Sequence, residues 1–295
     1  MRSVHLHNVQ CSAERMIFMN GKTIQEIMQE LQAGVHDFFQ SEAYRAYLRV
    51  ASKFHTYSVN NVMLILWQKP DATCIAGYRT WQEKFHRHVK KGEKAIKIIA
   101  PIVQKKNEDD EGSEEQIIKA FKIISVFDVS QTEGESLPEF PIYKLSGDFD
   151  SFMIFRDAIV KIAGCPVKFK KIGGAENGYY NLIEQEIVIS NELSQEQTIK
   201  TMIHELAHAR LHSLMRTTEC DVVQDELEAE SIAYVVCSHF NLDTSDYSFG
   251  YLVNWGSKQT SARLTKSLAT IQQTASTIID EIENQFLLQR QAIKL

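Results

Sequence analysis

A chain of 295 residues with a formal charge of −6 exceeds the usual single domain of about 100–200 residues, so two domains are expected. At 44% hydrophobic and 24% charged it has the makeup of a soluble globular protein, and its acidic balance excludes nucleic-acid binding by bulk charge, leaving that role to a local basic patch. Five widely spaced cysteines with no Cys-x-x-Cys pair argue against a disulfide framework or a thiolate zinc site and fit a reducing cytoplasm; no apolar run approaches the roughly 20 residues of a membrane span, and the N-terminus lacks a signal-length apolar core.

Residues 1–20 read as an extension. From Thr23 to about Phe54, Ile24, Ile27, Met28, Leu31, Val35, Phe38 and Phe39 recur at helical spacing. A second helical stretch, 58–68, stops at Lys69-Pro70, where the residue before proline disfavours helix. Residues 73–77, 95–100 and 121–128 are β-rich and read as strands. Together, 21–135 form an expected α+β domain. Within it, Asn107–Glu115 carries six acidic residues in nine and reads as a solvated loop. Residues 136–148, bearing Pro138, Pro141 and Gly147, read as a linker. The second domain, 149–256, opens with a helix over 149–163 and strands at 167–172, 179–183 and 186–190, the last two a hairpin in a small antiparallel sheet. Ser194-Gln-Glu-Gln197 is a capping-box pattern announcing a helix. Another helix spans about 225–240, and a long polar one closes the chain over 257–295.

The sharpest chemical signal is His204-Glu-Leu-Ala-His208. On a helix, residues i and i+4 stack one turn apart, so both imidazoles can hold one Zn²⁺. Glu205 then faces the open side of the metal as the base for a metal-acidified water. The reading is a zinc-dependent hydrolase, with peptide hydrolysis as its chemistry, and the hairpin's last strand is placed to accept an extended substrate. Tyr179 and Tyr180 on that hairpin are core or edge packing first, oxyanion donors second. The metal still lacks a ligand, and Leu214 stands where a third histidine would be needed. In the next helix Glu226, Glu228 and Glu230 compete, and helical geometry does not choose among them. The run Glu228-Ala-Glu-Ser231 resembles the third-ligand run of thermolysin-like gluzincins, which implies Glu228.

From Arg79 to Lys106 there are nine Lys/Arg against two acids, a local net of +7. Tyr78 and Trp81 sit beside Arg79, Arg87, Lys90, Lys91 and Lys94. Cations for phosphates and rings for bases are what single-stranded DNA requires; a basic surface with Trp81 in the core is the competing reading.

Tyr57-Ser-Val-Asn-Asn-Val-Met-Leu-Ile65, Gly77-Tyr-Arg-Thr-Trp81, His88-Val-Lys-Lys-Gly-Glu-Lys94 and Val126-Phe-Asp-Val-Ser-Gln-Thr132 together resemble the N-terminal domain of ArdC-type antirestriction proteins. The half with Lys200–His208 and Glu226–Tyr234 resembles their zincin-like domain and the ImmA/IrrE-type metallopeptidases. The resemblance covers about 21–255. It implies a single-stranded-DNA-binding domain, a metallopeptidase domain that uses one zinc ion on a protein or peptide substrate, and a role on mobile DNA. The alternative is a non-proteolytic DNA-binding protector with a structural or vestigial zinc domain. The acidic loop departs from the family pattern, and the C-terminal helix lies outside it.

Overall fold

The computed structural model describes residues 22–39, 41–105, 116–137, 149–174, 176–211, 221–245, 247, 249 and 255–293. The extension, the whole acidic loop and most of the linker lie outside them. The chain divides into two compact units, one of residues 1–35 with 57–138 and one of 36–56 with 139–295. The fold class is α+β. Among the described residues no helix is long and apolar enough to cross a membrane.

In the first unit, helix α1 (Ile24–Phe38) begins where Thr23 and Glu26 cap each other: the Glu26 carboxylate accepts from the Thr23 N–H at 2.7 Å, and Thr23 Oγ1 accepts from the Glu26 N–H at 3.2 Å. Helix α2 (Ser41–Lys53) belongs to the second unit. Helix α3 (Val59–Gln68) is capped by Ser58 and ends before Pro70. Strands β1 (Ile75–Gly77), β3 (Ile96–Lys105) and β4 (Gln116–Asp128) form an antiparallel sheet in the order β1-β4-β3. Helix α4 (Tyr78–Lys84) follows β1, and the short strands β2 (Arg87–Val89) and β5 (Thr132–Gly134) pair with each other. Alternation puts Ile96, Ile98 and Val126 on one buried face. At Lys97 and Ile99 the outer edge of β3 is closed by side-chain amides of α3. Gln68 exchanges two hydrogen bonds with the backbone of Lys97, both 2.8 Å, and Asn61 does the same with Ile99 at 2.8 and 2.9 Å.

The second unit holds helix α5 (Phe149–Ile162), strands β6 (Val167–Lys170), β7 (Gly178–Asn181) and β8 (Glu186–Ser190), and helices α6 (Gln195–Leu211), α7 (Val222–His239) and α8 (Ser261–Ile293). The hairpin β7–β8 is antiparallel, and β6 adds parallel to the other side of β8. β8 is thus the central strand and is buried along its whole length. The expectation that the hairpin's last strand takes a substrate is corrected by this order: both sides of β8 are already paired, and β7 is the edge.

Two segments sit differently from the sequence-based domains. Helix α2, expected in the N-terminal domain, packs on α7 instead. Its Tyr44 hydroxyl meets Ser231 Oγ at 2.7 Å, and Tyr47 donates to Gln272 at 2.9 Å. The closing helix α8 is not a separate polar tail. Leu264, Leu268, Ile271, Ala275, Ile278, Ile282 and Phe286 step by three and four residues along one buried stripe.

A histidine pair joins these helices. His239 donates from Nδ1 to the Ser52 carbonyl at 3.0 Å and meets Glu283 at 2.9 Å; His55 lies 3.4 Å from Asp280, with the two imidazoles edge-to-face at 4.8 Å. Burial pushes the His55 imidazole down, and neighbouring His239 adds to this against the pull of Asp280 and Glu283. The bond from His239 holds the Glu283 carboxyl below its usual value. Below about pH 6.5 the unfolded chain takes a proton at His55 that the folded chain resists, so this stability is present above that pH and lost as pH falls towards the folded value. Glu283 adds a loss of the same sign at lower pH. Thermal melts of the wild type should therefore drop between pH 7.5 and 5.5, and His55→Asn should drop less. An equal drop in both proteins would refute this.

Candidate metal centre

Helix α6 begins at the cap foreseen in the sequence: Ser194 Oγ accepts from the Gln197 N–H at 3.2 Å. Its buried stripe, Ile199, Met202, Ile203 and Leu206, lies against β7 and β8. That packing turns His204 and His208 to one side, where their Nε2 atoms stand 3.0 Å apart. Gly178 permits the close approach of β7 to α6, since a Cβ there would lie 2.7 Å from Thr201 Cγ2 and 2.8 Å from the Val188 carbonyl. The Tyr180 backbone then reaches the Glu205 carboxylate. A cleft of about 290 Å³ opens here, its walls including Gly178, Lys200, Thr201, His204, Glu205 and Glu230.

From α7, Glu226 brings one oxygen within 3.6 Å of His204 Nε2 and the other within 3.5 Å of His208 Nε2, while Glu230 lies 3.4 Å from His204 Nδ1. Glu226 is 55% exposed and Glu230 half-buried. They can act together because residues four apart share a helix face. Ligand atoms of His204, His208 and Glu226 all lie within 4.8 Å of one another. Tetrahedral ligands at about 2.0–2.1 Å from zinc are separated by roughly 3.3–3.5 Å, so the set fits a divalent ion of that size.

The charges point the same way. Burial works against a proton on His204, but hydrogen bonds to Glu226 and Glu230 and the charge of Glu205 outweigh it, and the imidazole is pushed up to about 10. The two imidazoles hold the Glu226 carboxyl far below the usual carboxylate range, despite its partial burial. Burial raises Glu205, against the pull of the imidazoles and the Tyr180 hydrogen bond. Three carboxylates converging on two imidazoles form a site short of positive charge.

Glu228, the ligand expected from the sequence, is not brought to the histidines. At 100° per residue it lies on the far side of α7 from Glu226. It is 3% exposed, accepting from Gln224 Nε2 at 2.7 Å and from Ser267 Oγ of α8 at 2.8 Å. The expectation of Glu228 rested on the likeness of the run Glu228-Ala-Glu-Ser231 to the gluzincin third-ligand run, and helix geometry had left the three glutamates open. Leu227, Glu228, Ala229, Ser231, Ile232 and Ala233 are all buried, so the helix is wrapped on most sides and its exposed margin is the one facing α6. Tyr179 lies under Lys170, whose Nζ sits 5.6 Å from the ring centre.

The expected DNA-binding residues divide in two. Tyr78, Arg79, Lys90, Lys91 and Lys94 are exposed, although the Lys90 ammonium donates to the Ser130 carbonyl at 3.0 Å. Trp81 and Arg87 are structural. The Trp81 ring is 0% exposed, packs on Phe85 at 5.2 Å between centres, and donates Nε1–H to the Phe127 carbonyl at 2.8 Å; a ring so enclosed meets no base. The Arg87 guanidinium donates to Thr132 Oγ1 at 2.8 Å and to the Thr132 and Glu135 carbonyls. The motif Val126–Thr132 proves to be a set of stitches. Asp128 accepts from the N–H groups of Thr73, Cys74 and Ser130 at 2.7, 3.0 and 2.9 Å, and Gln131 donates to the Lys94 carbonyl at 2.8 Å.

Residues 19–127 match the N-terminal domain of anti-restriction factor ArdC, and residues 160–249 match the IrrE N-terminal-like domain. An uncharacterized protein of Bacillus anthracis is 26% identical over 312 residues, covering 91% of this chain and 53% of the relative; the chain thus spans about half of that relative's length. Crystal structures of a plasmid's antirestriction ArdC protein are similar in part. The metal-free one aligns at a TM-score of 0.48 and 20% identity over 77% of this chain and 86% of that one, and the Mn(II)-bound one at 0.47 and 21% over 77% and 84%. The chain thus carries, in this order, a stretch that matches the N-terminal domain of anti-restriction factor ArdC and a stretch that matches the IrrE N-terminal-like domain, the two-domain arrangement of ArdC-type proteins.

Proposed function

We propose that the second unit is a divalent-metal hydrolase of the zincin kind, cleaving a protein or peptide, and that the first unit binds single-stranded DNA in an anti-restriction role for a mobile element. The convergence of His204, His208 and Glu226 beside Glu205 carries the first half of this reading. His204, His208 and Glu226 would hold the ion, and zinc suits two imidazoles and a carboxylate. Bound there, the metal supplies Lewis acidity and a water acidified towards pKa ~7. Glu205 takes the proton: its carboxylate stands in the cleft, and burial raises its basicity above that of a surface glutamate. Glu230 orients His204 through Nδ1, leaving Nε2 for the metal. Lys200 adds a cation to the cleft wall. β7, as the edge strand beside the cleft, is the element against which an extended chain would lie.

The test is Glu205→Gln. It should keep a full complement of metal and an unchanged melting temperature, yet lose hydrolysis by about 10²–10⁴-fold, as expected when a general base is removed. Proteomic cleavage profiling of the zinc-loaded wild type beside the variant reads this directly. Cleavage products that appear equally with both proteins would remove Glu205 from the mechanism.

A further inference from the structure

Strand β4 presents a second surface that the metal centre does not use. Its alternate residues Phe121, Ile123, Ser125 and Phe127 point away from the buried face that holds Val126, in the part of the ladder before the register shift between Ile102 and Val103. Across the ladder, Phe121 pairs with Pro101, Ser125 with Lys97 and Phe127 with Ala76. The Lys97 ammonium donates to Ser125 Oγ at 2.6 Å, which places that charge on the same face. Tyr78, following β1, sets its ring edge-to-face on Phe127 with 6.5 Å between centres. Phe121 is 47% exposed and Tyr78 54%. Neither β3 nor the span Gln116–Phe127 contains a single acidic residue. Exposed rings on a sheet face, with the Lys97 cation beside them and no carboxylate in either strand, match the chemistry of unpaired bases on a phosphate chain.

We propose that this outer face of β4 is the stacking platform for single-stranded DNA, with Phe121 and Tyr78 carrying bases and Lys97 a phosphate. The inference rests on the DNA-binding half of the function above and assigns its residues. It moves the platform off the buried Trp81, where the sequence had put it. The bases meet aromatic rings presented by a strand and the start of α4, and duplex DNA, whose bases are already stacked, has no face to offer them.

Fluorescence anisotropy of the full-length protein on a labelled oligothymidine tests this. Phe121→Ala and Tyr78→Ala should each weaken binding at least about fivefold with the salt dependence unchanged. Lys97→Gln should flatten the slope of log affinity on log salt by about 0.7. Phe121→Leu keeps apolar bulk without a π face and should bind as poorly as Phe121→Ala. Both Phe121 and Tyr78 are exposed, so melting temperatures should hold. Wild-type-like binding by Phe121→Leu, or by the two alanine variants, would overturn the platform while leaving DNA binding in place. Absence of wild-type binding at low salt would remove the DNA-binding reading itself.

Discussion

His208→Ala and His204→Ala should each leave the purified protein without its divalent ion, read by mass-spectrometric metal analysis and by zinc titration calorimetry. Either change removes one of three ligand atoms that lie within 4.8 Å of one another. Glu226→Ala should do the same, because its two oxygens face the two imidazoles at 3.6 and 3.5 Å. Glu230→Ala should be milder, lowering affinity about 10–100-fold, as for a group that orients a ligand. Glu228→Ala separates the structural assignment from the sequence-based one. It should retain metal but lower stability by about 1–3 kcal/mol, since Gln224 and Ser267 lose a buried acceptor. Metal lost in Glu228→Ala and retained in Glu226→Ala would restore the original choice and place α7 in a different rotation.

Trp81→Ala should unfold the first unit. Its indole is fully enclosed and its N–H is bonded to the Phe127 carbonyl. Truncating a buried aromatic costs about 3–5 kcal/mol, a large share of the 5–15 kcal/mol that holds a domain together. Trp81→Phe keeps most of the packing and loses the hydrogen bond, so it should fall between. Chemical denaturation followed by circular dichroism measures both. A Trp81→Ala protein that denatures like the wild type but no longer binds DNA would return the ring to the surface as a base-stacking group.

Features set by local chemistry were legible in the sequence. The cap at Ser194, the hairpin ending in Glu186–Ser190 and the i, i+4 histidines depend on neighbours a few residues away, and the structure shows the cap, the hairpin and the histidines on one side of α6. Features set by distant partners were not. Helix α2 repeats its apolar residues as a helix of either unit would; only the facing hydroxyl of Ser231 and amide of Gln272 reveal its place. The polar average of α8 hid a stripe that steps by three and four over 23 residues, from Leu264 to Phe286. Glu226 and Glu228 are chemically the same, and the rotation of α7 that separates them is fixed by what surrounds that helix. Trp81, amid cations in sequence, was ambiguous until its ring had a neighbour at Phe85. The short strands β2 and β5 carried no periodic signal, each being three residues long.

The two amides of α3 on β3 bear on how this protein behaves in a crowded solution. A sheet recruits strands from other molecules through a row of free N–H and C=O groups along its border, which is how folded chains become templates for aggregates. At Lys97 and Ile99 those groups are already bonded, and the opposite border is β1, three residues long. An apolar strand that reads Ile-Lys-Ile-Ile-Ala in sequence would otherwise be a strong nucleus for such stacking. Asn61 and Gln68, seven residues apart on one helix face, stand in for a missing neighbour strand. Over the apolar run Ile96–Ala100 they occupy the backbone groups that a strand from another copy would need.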